Sequence, residues 1–91
     1  MAEAIREVEM KLWILRPKEG LKGVDDKWRG VCDTAYGFVV RAESERQARE
    51  FAAADRGDEG ESAWLNPLYS DCKPLSARGV PGVIIRDYTA G

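Results

Sequence analysis

The stretch FVVRAESERQAREFAAADRGDEG, residues 38–60, changes its hydrophobic pattern part-way along. It opens on an apolar, β-branched run suited to a strand. Ser44 followed three residues later by Gln47 then forms a capping box, in which the hydroxyl takes a free backbone N–H and the amide reaches back. A helix is therefore expected from residue 45 to about 56. Ala48, Phe51 and Ala52 share one face at helical spacing, with Ala42 close by at the turn, so this face is expected to pack on a sheet. Glu45 pairs with Arg49, and Arg46 with Glu50, at the four-residue spacing worth roughly 0.2–0.5 kcal/mol each. The arginine-rich side reads as a solvated helix face whose charges cancel, not as a phosphate cradle. Arg56 complements the helix dipole and Gly57 is expected to supply a left-handed stop.

Toward the N-terminus, residues 36–42 form the strand that leads into this helix. Residues 17–35 carry Pro17, Gly20, Gly23, Gly30 and the pair Asp25-Asp26 without apolar period, and read as a long loop. Residues 9–16 alternate Met10, Leu12 and Ile14 against Lys11, Trp13 and Leu15 until Pro17 ends the run, which predicts a strand. Residues 1–9 read as a short leader, helical or frayed, and 10–91 as a single domain. Toward the C-terminus, DEGESAWLNPLYS reads as a second long connection. Residues 71–75 form a strand that Pro74 confines to an edge, and the continuously apolar residues 82–88 predict a central strand. The expectation is an α+β fold of order β-β-α-β-β, a four-stranded antiparallel sheet with one helix on a face.

A chain of 91 residues holds one domain and buries only roughly 60–65% of its unfolded surface. The absence of low-complexity tracts excludes wholesale disorder. The apolar run at residues 12–15 is too short for a bilayer span or a signal core, so no membrane association and a cytoplasmic location are expected. Cys32 and Cys72 then read as buried, unreactive thiols. A net charge of −2 weighs against strong attraction to phosphate backbones. Acidity gathers at Asp55, Asp58, Glu59 and Glu61.

Catalytic machinery is not written in the chain. With no histidine, the usual general base and nitrogen ligand are missing. Cys32 is followed by an acid rather than by an activating cation. Neither Asp25-Asp26 nor the 58–61 acids have the periodicity of a calcium loop. No enzyme activity, metal or cofactor is expected.

Partner recognition asks for less: a rigid small domain, aromatic-bearing loops, an acidic patch and an exposed strand edge. The candidate contact residues are Trp28, Trp64 and Tyr69 with Asp55, Asp58, Glu59 and Glu61. The aromatics either close the core, the commoner fate of large rings, or stand out as anchors. The expected partner is a protein, with a basic surface that otherwise holds nucleic acid as the candidate contact, and oligomeric state is left open. One alternative is single-stranded nucleic acid on the loop 18–29, where Lys18, Lys22, Lys27 and Arg29 surround Trp28 but are interleaved with Glu19, Asp25 and Asp26. Another is a structural or interaction domain with no role in defence.

The arrangement MKLWILRP, then GFVVRAESERQAREFAA, a short cysteine-bearing segment and GVIIRDY resembles small proteins carried by phages, prophages and other mobile elements. The resemblance runs from Met10 onward, and its layout is similar to that of anti-CRISPR proteins. It implies a non-enzymatic inhibitor that occludes a site on a large nucleoprotein complex of bacterial defence.

Overall fold

The computed structural model describes residues 9–20 and 26–86. Strand β1 is Lys11–Pro17 and strand β2 is Phe38–Ala42. Helix α1 is Glu45–Ala54, helix α2 is Ser62–Leu65, and strand β3 is Ser70–Pro74. The protein is a small α+β fold with a three-stranded antiparallel sheet of order β2-β1-β3. Trp13 stands opposite Val40 in β2 and Pro74 in β3, Leu15 opposite Phe38 and Cys72.

The period-2 alternation of β1 sets the two faces of the sheet. Trp13 and Leu15 point into the core, while Leu12 and Arg16 are exposed and Ile14 is half-buried on the other side. Across the core face lies α1, whose contact side is Ala48, Arg49, Ala52 and Ala53. The small side chains let α1 approach the sheet closely, and the remaining space is filled by Trp13, Leu15, Trp28 and Trp64. Trp64 is fully buried and meets Trp28 and Phe38 edge to face, at centroid distances of 5.3 and 4.8 Å. Each such pair adds roughly 0.5–1.5 kcal/mol beyond area burial.

The serine half of the capping box forms, Gln47 N–H donating to Ser44 Oγ at 3.2 Å, while the return bond is shifted by one residue: Gln47 Oε1 accepts from Glu43 N–H at 2.7 Å, ahead of the cap. Both predicted charge pairs are present, Glu45 with Arg49 at 2.9 Å and Arg46 with Glu50 at 3.5 Å.

Several expectations are corrected. Residues 82–86 form no strand and are exposed, Val83 to 81%; residues 87 and 88 lie outside the described residues. The central position belongs to β1, which is paired on both sides, and the adjoining edge is β3, where Lys73 and the donor-less Pro74 discourage a further strand. A second, one-turn helix, α2, lies within the connection expected to be irregular. Phe51 is 54% exposed and Arg49 only 6%, so the packed side of α1 is rotated toward Arg49. Gly57 is not left-handed. Its role is steric, because a Cβ there would lie 2.1 Å from the Asp33 carbonyl oxygen, and the next residue, Asp58, donates its N–H to that same oxygen. Cys32 is exposed, unlike Cys72. The expected leader lies, apart from Glu9, outside the described residues.

Candidate partner-binding surface

The loop aromatics are held inside by their polar ends. Trp28 Nε1 donates to Ala35 O at 2.7 Å and Trp64 Nε1 to Glu59 Oε2 at 2.5 Å, as buried indoles require. Trp28 is turned inward by an Asx turn, its N–H bonded to Asp26 Oδ1 at 3.0 Å. Both rings belong to the core, Trp64 fully and Trp28 with 8% of its surface exposed. Tyr69 is half-buried against the core, with Lys27 Nζ 4.8 Å from its ring centroid.

The acidic group divides in the same way. Glu59 is buried, its Oε1 accepting from Ala35 N–H and Gly57 N–H at 3.1 Å each while Oε2 takes the Trp64 indole. It fastens the loop before β2 to the α1–α2 junction. Asp55, Asp58 and Glu61 remain exposed at that junction. The basic loop is also partly committed: Lys18 Nζ donates to Pro67 O at 3.1 Å and lies 3.7 Å from Asp71, and Lys27 covers Tyr69. Lys22 and Asp25 lie outside the described residues. With Trp28 in the core, the loop lacks the stacking platform that single-strand binding needs.

A second buried charge is Arg49. Its Nε donates to Glu45, one terminal nitrogen to Trp64 O at 2.8 Å and Ser70 Oγ at 2.9 Å, and the other to Ser70 O at 3.0 Å. The guanidinium thus joins α1, α2 and β3. It floors a groove of about 620 Å3 lined by Glu45, Arg46, Glu50, Leu65 and Pro67, whose charges pair among themselves and leave no bias toward a ligand. Nearby, burial pushes the Cys72 thiol from 9.0 up to about 11, against the lowering effect of Arg49, which makes it a poor nucleophile at neutral pH. Among the described residues no three His, Cys, Asp or Glu side chains are placed to hold a metal, and no helix is long and apolar enough to cross a membrane.

What the sheet leaves uncovered is the face opposite α1. Leu12 and Val39 are exposed there beside Ile14, with Met10 exposed at the entry to β1. Arg16, Arg41 and Lys73 surround this row; all three are exposed and form no ion pair among the described residues. Asp71, the acid on this face, is taken by Lys18. At one end, residues 83–86 lie against Arg16, Pro17 and Tyr36 across a groove of about 560 Å3. Sequence reasoning missed this surface, although its signal was present: Leu12 and Ile14 alternate with core residues on a strand that needs only one buried face.

Comparison with protein-family models, curated proteins and solved structures finds no match to this chain.

Proposed function

We propose that this chain is a non-enzymatic protein-binding module that works through the open face of its sheet. The observation that supports this reading is the row Leu12, Ile14 and Val39, which no element among the described residues covers and which is flanked by Arg16, Arg41 and Lys73, without ion pairs among those residues. Apolar side chains clustered on a sheet face and rimmed by charge suit partner docking. The resemblance to mobile-element proteins gives the reading a biological form: an inhibitor that occludes a working surface of a bacterial CRISPR-type nucleoprotein complex in the cytoplasm.

A second reading places the contact at the α1–α2 junction. Asp55, Asp58 and Glu61 are exposed there and unpaired among the described residues. Such a corner would steer the domain toward a basic, nucleic-acid-holding surface, with salt-dependent association.

Photo-crosslinking residues introduced singly at positions 12, 39 and 58 separate the two. Adducts with one defined protein from 12 or 39, and none from 58, are expected. The reverse pattern supports the acidic corner, and no adduct at any position overturns both. In a plasmid-interference assay the parent chain is expected to relieve interference and the Leu12→Glu variant to fail. Interference that persists with the parent chain rules out an inhibitor of the complex assayed.

A further inference from the structure

The two edges of the sheet are unlike. β3 ends in Lys73 and Pro74, whereas β2 holds no proline, and no strand among the described residues pairs with its outer side. The hydrogen-bond phase shows what that outer side offers. Leu75 N–H donates to Leu12 O at 2.8 Å, and Lys18 N–H to Tyr69 O at 2.8 Å. Even-numbered β1 residues therefore turn their backbone groups toward β3, and odd-numbered ones toward β2. The β2 partners of Lys11, Trp13 and Leu15 are Ala42, Val40 and Phe38, so these bond inward. Val39 and Arg41 must then aim N–H and C=O away from the sheet. The same two residues carry their side chains onto the open face, because strand side chains alternate.

We infer that β2 accepts an extended partner segment as a fourth, antiparallel strand, and that the segment places an acid beside Arg41 and an aliphatic residue beside Val39. Strand addition takes affinity from main-chain hydrogen bonds and selectivity from alternate side chains. Because the added strand runs against β2, its sequence from N to C reads acid, any residue, aliphatic. Arg16, Arg41 and Lys73, without ion pairs among the described residues, all favour a negative segment. A second copy paired through this edge offers Arg41 no acid, because the outward residues of β2 are Val39 and Arg41. The three cations also attract phosphate, but a single strand of nucleic acid needs successive aromatic platforms, and the row is aliphatic with one exposed ring, Tyr36, at its end. The inference rests on the proposed use of the open face and adds the kind of partner that face takes.

The test uses the full chain, labelled with nitrogen-15, and a short blocked peptide carrying the run Glu-Thr-Val, in which glutamate and valine share one face of the added strand. Its amide spectrum is expected to shift at Val39 and Arg41, with slowed exchange of those two N–H groups. N-methylation of the peptide in the phase that faces Val39 and Arg41 should abolish binding, and in the other phase should spare it. Arg41→Glu is expected to weaken the Glu-Thr-Val peptide several-fold, the scale of a cross-strand charge pair, and to recover binding to a Lys-Thr-Val peptide. No shift in any β2 amide at millimolar peptide overturns strand addition, as does equal loss from both methylation phases. Oligothymidylate shifting the same amides at lower concentration would assign the face to nucleic acid, and a mass that doubles with concentration would assign the edge to a second copy. If the peptide fails while crosslinks at 12 and 39 persist, strand addition falls and the open face stands.

Discussion

Arg49 is the long side chain on the contact side of α1, among alanines, and its guanidinium bonds groups from three elements. Replacing it with Met keeps much of the volume but strands the buried acceptor Ser70 O and leaves Trp64 O only the 3.4 Å bond from Ser70 Oγ. An orphaned acceptor costs about 1–3 kcal/mol, so with the weakened bond at Trp64 O added, Arg49→Met is expected to lose about 2–4 kcal/mol in a urea melt. Arg49→Lys should recover part of it, since an ammonium lacks the planar fork. The pairing of Glu45 with Arg49 was legible from spacing; its burial was not, because the four-residue rule describes wet and dry helix faces alike. The cysteines make a second prediction. A thiol reagent at neutral pH should modify exposed Cys32 at once and Cys72 only as the chain unfolds. Burial disfavours the Cys72 thiolate, so its contribution to stability is complete below the ordinary thiol value of 9.0 and is lost as pH rises through about 11. In urea melts across that window, the parent should lose more stability than Cys72→Ala.

At the scale of elements, the helix start is fixed by Ser44, and Ser44→Ala is expected to cost about 1 kcal/mol. Its far end is held differently. The α1–α2 junction closes on the Asp33 carbonyl with no space for a methyl group at Gly57, so Gly57→Ala should cost about 1–3 kcal/mol as an overpacking change. Calorimetry on the two variants compares them directly, and a Gly57→Ala loss no larger than a few tenths of a kcal/mol would remove the steric argument. The three strands and the start of α1 were legible because alternation, Pro17 and the capping box are local signals. The expected fourth strand is absent over its described residues 82–86, because a continuous apolar run states burial preference without stating partners. Whether such a run pairs depends on the chain reaching a free edge: β3 presents Lys73 and Pro74, and residues 83–86 lie beside Tyr36 and Gly37 instead of along β2. α2 was missed because a single turn between a glycine and a proline has too few residues to show a period.

Over the whole molecule, the sheet separates a packed side from an open one, and stability should follow that division. Leu15→Ala, on the packed side, is expected to cost about 2–5 kcal/mol, whereas Leu12→Thr, on the open side of the same strand, should stay within about 0.5 kcal/mol. A large loss at Leu12 in chemical denaturation would mean that the face is covered in the free protein. Charge follows a similar division, with cations unpaired among the described residues around the open face and exposed acids at the α1–α2 junction. That arrangement was not legible in a net charge of −2, which averages over both sides. The candidate aromatics were read from their loop positions, but loop position does not fix where a ring points, and the indole N–H groups of Trp28 and Trp64 found partners inside. Trp13 completes the set, its Nε1 donating to Ala42 O at 3.0 Å. All three indoles thus share the side of the sheet away from the proposed contact. The protein consequently carries an intrinsic fluorophore set that reports unfolding as a red shift and answers only weakly to a ligand on the opposite face. A binding titration followed by tryptophan emission would read as silence even at saturation, and a dye or isotope label on β2 is the observable that registers occupancy.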